Sequence, residues 1–316
     1  MVHDMDTFRV TIQICMRTSV IPFAAAMLLA SSTSLHAQGS NGWSAVEAAL
    51  GRKGAPQAGG VMRFSFPRRD LRVRVGDVAV RPALALGSWV AFKRVGGGHS
   101  MVMGDLVLLD REVNDVISVL QAGGVEQSAL HNHVLGGTPN TMYLHISAHG
   151  DEAKIANAIR AALLKSATPL DTSMAGPPPA LDLDTAAIAA ALGYSGRANG
   201  GVYGVSVPRA ETIREGNNEV PPSMGVATAI NFQATGNGRA AVTGDFVLLG
   251  GEVNEVIRAL RGNAIGITAL HSHLIGENPR LYFMHFWAND DAVMLARGLR
   301  AALAETNSRP PVRDRR

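Results

Sequence analysis

The chain has 316 residues, of which 47% are hydrophobic and 17% charged, with a formal net charge of +3. That balance excludes a disordered polyelectrolyte and leaves room for two domains with well-buried cores. One cysteine, Cys15, excludes an internal disulfide framework and restricts metal chemistry to histidine, carboxylate and water.

At the N-terminus, Arg9 and Arg17 precede an apolar run from Val20 to Ala30 and the small residues up to Ala37. This order predicts a secretory signal peptide over 1–37, cleaved near Ala37, and a periplasmic or secreted location. The run is too short for a comfortable membrane span, so none is expected after cleavage. Cys15 precedes the run and has no lipobox, which argues against lipidation.

The remainder is a duplication. In chain order, Trp43 to Gly51 is a short helix closed by glycine, and 59–95 adds strands. Ser100 to Leu109 is a strand, and Glu112 to Gln121 a helix with Asp110 as N-cap. Gln127 to Val134 and Thr141 to Ala148 are strands joined through Gly136–Pro139, and Asp151 to Leu164 is an amphipathic helix. A proline-rich linker, 166–181, follows. The pattern then repeats: Gly200-Gly201-Val202 matches Gly59-Gly60-Val61, Pro208-Arg209 matches Pro67-Arg68, and Glu252-Val253-Asn254 matches Glu112-Val113-Asn114. Domains over 43–165 and 182–305 are expected, with a solvated basic tail over 306–316. The fold class is α+β: two tandem repeats, each an antiparallel sheet with helices on one face and a ferredoxin-like, split βαβ core.

Each repeat carries His-x-His followed by a third histidine. The first set is His131, His133 and His145, the second His271, His273 and His285, and every member is offset by 140 residues from its counterpart. Imidazole is the commonest protein ligand for transition metals, and three neutral imidazoles leave a coordination position open. Residues i and i+2 of a strand share a face, so a hairpin centred on Thr138 places His131 opposite His145 and His133 opposite Tyr143. A second hairpin centred on Asn278 repeats this, giving one zinc or copper cluster per repeat. Leu130, Val134, Leu144 and Ile146, with Leu270, Leu274, Met284 and Phe286, should form the opposite face beneath the helices. The competing reading is that strand histidines are polar surface groups; their retention at all six positions favours ligation. His99 and His149 occur in one copy and are read as surface residues.

Glu112 and Glu252 start helices, where a carboxylate gains from the dipole. Glu252 and Glu277 are also candidate general bases, and Arg280 a candidate binder of an anionic group. Asp105 and Asp245 follow glycines within strands, where a bulge role competes with ligation. Tyr143, Phe283 and Trp287 are candidates for an apolar wall on the histidine face.

The segments Ser88-Trp89-Val90-Ala91-Phe92, Met103-Gly104-Asp105-Leu106-Val107-Leu108-Leu109, Glu-Val-Asn, Ala-Leu-His-x-His and Leu281-Tyr-Phe-Met-His-Phe-Trp287 resemble the LppY/LpqO family of secreted bacterial proteins. The resemblance covers nearly all of both copies, although Ala227-Thr-Ala-Ile-Asn-Phe232 replaces the Ser-Trp-x-Ala-Phe segment in the second. It implies secretion and duplication and supplies no mechanism. The family name refers to lipoproteins, but the missing lipobox means a lipid anchor does not carry over.

Three functions remain open. A secreted or periplasmic protein could bind a divalent transition metal, zinc or copper, through the histidine clusters. A metal-dependent hydrolase would use bound water with its pKa lowered toward ~7, Glu252 or Glu277 as base and an envelope or extracellular substrate. An envelope interaction module would need no metal. Partners would be a small molecule or an envelope component; no basic stripe with aromatics points to nucleic acid. No phosphate loop or dinucleotide fingerprint is present, since Gly96-Gly97-Gly98 lacks the lysine and helix such loops need.

Overall fold

A computed structural model describes residues 42–171 and 180–311. The expected signal peptide, the middle of the linker and the last residues of the tail lie outside the described residues.

Repeat one runs α1 (Ser44–Leu50), β1 (Ala55–Gln57), β2 (Val61–Pro67), β3 (Arg74–Val75), β4 (Val78–Ala79), α2 (Pro82–Ala85), β5 (Gly87–Gly96), β6 (His99–Leu109), α3 (Val113–Ala122), β7 (Glu126–His131), β8 (Gly137–Thr138), β9 (Thr141–Gly150) and α4 (Glu152–Leu163). Repeat two runs α5 (Thr185–Leu192), β10 (Arg197–Asn199), β11 (Val202–Pro208), β12 (Arg214–Glu215), β13 (Asn218–Glu219), β14 (Ala227–Gly236), β15 (Arg239–Leu248), α6 (Val253–Gly262), β16 (Gly266–His271), β17 (Glu277–Asn278), β18 (Tyr282–Asp291) and α7 (Ala292–Ala304). The sheets have orders β1-β2-β5-β6-β9-β7 and β10-β11-β14-β15-β18-β16. β9 lies antiparallel between β6 and β7, which makes β6-α3-β7 a split βαβ unit. Both repeats are therefore α+β with helices on one sheet face, as expected.

Alternation along the strands separates two faces. In repeat one Phe64, Phe66, Val90, Phe92, Val102, Leu106, Leu144 and Ile146 pack under Val116 and Leu120 of α3 and Ile155 and Ile159 of α4. The other face meets the second repeat. Ala91, Met101 and Met103 pack with Ile213, Val220, Met224, Leu274 and Phe283, while Leu71, Val73, Leu84 and Tyr143 pack with Val202 and Ala241. Each repeat thus sends the segment after its second strand across the sheet of the other. Reciprocal hydrogen bonds tie the crossing: Ser128 Oγ donates to the His273 carbonyl at 2.6 Å and Thr268 Oγ1 to the His133 carbonyl at 2.7 Å.

Two buried arginines brace the scaffold. Arg68 Nη1 donates to the Val107 carbonyl and to Glu112 at 2.8 Å, and Arg209 Nη1 donates to the Val247 carbonyl and Glu252 at 2.7 Å. Glu112 also accepts from the Leu109 amide, which closes the 3-10 turn Asp110–Glu112 ahead of α3; Asp110, the expected N-cap, instead accepts from Asn140. Several local expectations need correction. Leu130 and Leu270 are about half exposed, and Leu274 packs between the repeats rather than beneath helices. The first residues of the linker are hydrogen-bonded to repeat one, where the Ala167 amide donates to Glu112. The start of the tail does the same in repeat two, where the Asn307 amide donates to Glu252 and Arg309 N to the Pro208 carbonyl.

Candidate metal centre

β7 pairs with β9 so that Ala129 faces His145 and His131 faces Tyr143; in repeat two Ala269 faces His285 and His271 faces Phe283. The expected register is therefore displaced by two residues. A bulge lies between Gln127 and Ala129, and another between Ile267 and Ala269. A displacement of two preserves side-chain parity, so all three histidines still share the inter-repeat face. His133 and His273 lie two residues past their strands.

The larger correction concerns which histidines meet. The six form one buried cluster across the repeats instead of two separate ones. His131 and His271 stack with centroids 3.7 Å apart. His133 lies 3.9 Å from His285, and His145 lies 3.7 Å from His273, again between ring centroids. The third histidine of each repeat thus sits against the His-x-His of the other. Tyr143 and Phe283 do form apolar walls, stacking on His133 and His273 at 3.4 Å, whereas Trp287 packs in the inter-repeat core away from them.

Two carboxyl groups complete the cluster. Asp105 pairs across the ladder with His145, and Asp245 with His285. Asp105 Oδ2 lies 3.3 Å from His133 Nε2, and Asp245 Oδ2 lies 3.0 Å from His273 Nε2. The preceding glycines are needed because the next strand is so close. A Cβ on Gly244 would fall 1.9 Å from the Ala229 carbonyl oxygen, and one on Gly104 2.8 Å from that of Trp89. A Gly-Asp pair between apolar strand residues, one repeat apart, is the signal in the sequence for these two carboxyl groups.

The distances suit coordination better than hydrogen bonding. Tetrahedral bonds of about 2.0–2.1 Å hold donor atoms about 3.3 Å apart. His131 Nε2 and His285 Nε2 are 3.2 Å apart, close to that edge, as are both Asp–His approaches. Among the described residues, twelve buried side-chain polar atoms lack a hydrogen-bond partner, and eight of them belong to this cluster: Asp105 Oδ1, His131 Nδ1, His133 Nε2, His145 Nε2, Asp245 Oδ1, His273 Nε2 and both nitrogens of His271. Each such atom costs about 1–3 kcal/mol when unpaired. Three ligand sets have donor atoms within 4.8 Å of one another: His131, His145 and His271; His131, His133 and His285; Asp245, His271 and His273.

Protonation also suits a cation. Burial pushes His133, His273 and His285 down to about 3 and holds His131, His145 and His271 far below the ordinary imidazole range. Burial raises Asp245 to about 6 against the attraction of His285. The imidazoles are therefore neutral, the form that ligates. His273 Nδ1 donates to the Gly225 carbonyl at 3.0 Å and His285 Nδ1 to the Gly244 carbonyl at 2.7 Å, which leaves each Nε2 with its lone pair toward the cluster.

The candidate acid–base and anion groups lie in other networks. Glu252 is held by Arg209, while Glu277 accepts from the Leu281 amide and Arg280 donates to the Ile275 carbonyl. His149 pairs with Glu215 at 2.9 Å.

A family model matches residues 44–165 and 186–305, most of the chain. The chain belongs to the family described as Domain of Unknown Function (DUF1259). The DUF1259 matches coincide with the two structural repeats, so the duplication is a duplication of that domain. No curated protein matches the chain. Two solved structures were matched: the trimeric bacterial microcompartment shell protein PduB, at 14% identity over 79% of this chain and 90% of that one, with TM-score 0.21; and EtuB from Clostridium kluyveri, at 11% identity over 80% and 91%, with TM-score 0.23. Similarity at those scores carries no argument about this chain.

Proposed function

We propose that this protein is an exported metal-binding protein of the LppY/LpqO type, holding a divalent transition metal, zinc or copper, between its two repeats. One observation carries the reading: eight buried donor atoms of five histidines and two aspartates converge without partners. Neutral imidazoles and a carboxylate match borderline divalent ions. Storage or delivery fits better than hydrolysis, because Glu252, Glu277 and Arg280 are committed to other partners. The export part rests on the charged, apolar and small-residue order of residues 1–37.

Elemental analysis of the purified chain tests the metal reading. We expect stoichiometric zinc or copper, released by acid, and its loss when His131 and His271 are both replaced by alanine. Wild-type metal content in that variant would reject the centre, and the envelope-module reading would take its place. N-terminal sequencing of protein from the envelope fraction tests export, with Gln38 as the expected first residue.

A further inference from the structure

Resting on the metal reading, we infer that the centre holds two ions, each in a half-site that crosses the repeats. One half-site takes His131, His133 and Asp105 from repeat one and His285 from repeat two. Its counterpart takes His271, His273 and Asp245 from repeat two and His145 from repeat one. Ring separations within the histidine trios agree pairwise: His131–His133 is 5.1 Å and His271–His273 is 5.0 Å, while His131–His285 is 5.1 Å and His145–His271 is 5.3 Å. The remaining separations, His133–His285 and His145–His273, are 3.9 and 3.7 Å.

The unpaired atoms divide the same way. A single ion in the first half-site would leave His145 Nε2, both nitrogens of His271, His273 Nε2 and Asp245 Oδ1 buried without partners. An ion in the second alone would leave His131 Nδ1, His133 Nε2 and Asp105 Oδ1. Eight donor residues also exceed what one tetrahedral ion accepts, whereas four each fill two. Duplication alone would have given one site inside each repeat. The middle histidines decide the crossing: His133 lies 3.9 Å from His285 and His273 lies 3.7 Å from His145, whereas His131 and His271 are 5.0–5.3 Å from either third histidine.

Native mass spectrometry of the full chain loaded with Zn²⁺ counts ions directly. Wild type should carry two, and His131→Ala with His285→Ala should keep one, since both changes fall in one half-site. The pair His271→Ala with His285→Ala should keep none, since it damages both. Uncrossed sites would reverse the two variants, and that reversal would overturn the inference. One ion in wild type would also overturn it while sparing the metal reading; no ion would end both. Glutamine versions of the same pairs, checked by circular dichroism, separate ligand loss from unfolding.

Discussion

The two halves of the centre share strand register but differ in their support. In repeat two, the Gly225 carbonyl accepts from His273 Nδ1 at 3.0 Å. The corresponding carbonyl of repeat one, on Ala85, instead accepts from the Tyr143 hydroxyl at 2.7 Å. Repeat two has Phe283 where repeat one has Tyr143, so no hydroxyl competes for Gly225. On the neighbouring strands, Arg63 stacks over Trp89 at 3.9 Å and Nη1 donates to the Ser223 carbonyl; Gly204 and Ala229 occupy the equivalent places in repeat two. Burial lowers the Arg63 guanidinium to about 10. The histidines and aspartates of the cluster are thus the same in both repeats, while the groups around them differ.

Acid provides the largest perturbation, because it acts on histidines of both halves at once. For the metal-free protein, His133, His273 and His285 fold with values near 3, against about 6.5 when unfolded. Between those values the unfolded chain binds more protons, so stability is full above about pH 6.5 and falls as pH drops toward 3. Asp245 opposes this: its folded value of about 6 exceeds the unfolded one, so it gains stability as pH falls through 6. One carboxyl against six depressed histidines leaves the histidines dominant. Urea midpoints of chelator-treated protein should drop steadily from pH 7 to pH 4, and more steeply in Asp245→Asn below pH 6. A midpoint unchanged over that range would contradict the buried, neutral cluster.

The arginine braces measure the part of the scaffold that both repeats keep. Arg68→Met leaves Glu112 buried with no cationic partner, and Arg209→Met does the same to Glu252. Breaking such a pair from one side costs about 3–5 kcal/mol. The Glu252 side chain is 14% exposed against 6% for Glu112, so repeat two should lose somewhat less. Equilibrium unfolding with the metal removed isolates this scaffold effect. Lysine should not rescue either position, because it lacks the fork that reaches the carboxylate and the strand carbonyl together. Losses below about 1 kcal/mol in both variants would show that the braces are dispensable.

Much of the molecule is legible in the sequence. The constant 140-residue offset and the period-two pattern gave the duplication, the split βαβ core and the shared face of each histidine triplet. The two-residue register error came from bulges that leave no mark on alternation. The meeting of the two histidine triplets across the repeats was not legible, because periodicity describes one sheet and says nothing of which face meets which across a domain boundary. Asp105 and Asp245 were visible as a repeated Gly-Asp pair, but their role depends on the His145 and His285 partners that the β6–β9 and β15–β18 ladders supply. The segments around Ala167 and Asn307 looked like linker and tail by composition; their amide bonds to Glu112 and Glu252 are tertiary contacts.

The smallest expected effect bears most directly on how the halves differ. Tyr143→Phe removes the hydroxyl from the Ala85 carbonyl, at a cost of about 0.5–1.5 kcal/mol for one hydrogen bond. It also frees that carbonyl for His133 Nδ1, reproducing the arrangement of Gly225 and His273. Orienting partners of this kind are worth about 10–100-fold in metal affinity. Tyr143→Phe should therefore tighten the weaker Zn²⁺ step in a competition titration while slightly lowering thermal stability. Phe283→Tyr should do the reverse, placing a hydroxyl in competition with His273 for Gly225 and weakening the tighter step. The paired variant should exchange the properties of the halves. If Tyr143→Phe leaves both binding steps unchanged and Phe283→Tyr does likewise, the carbonyl contacts do not set affinity, and the two halves differ in structure alone.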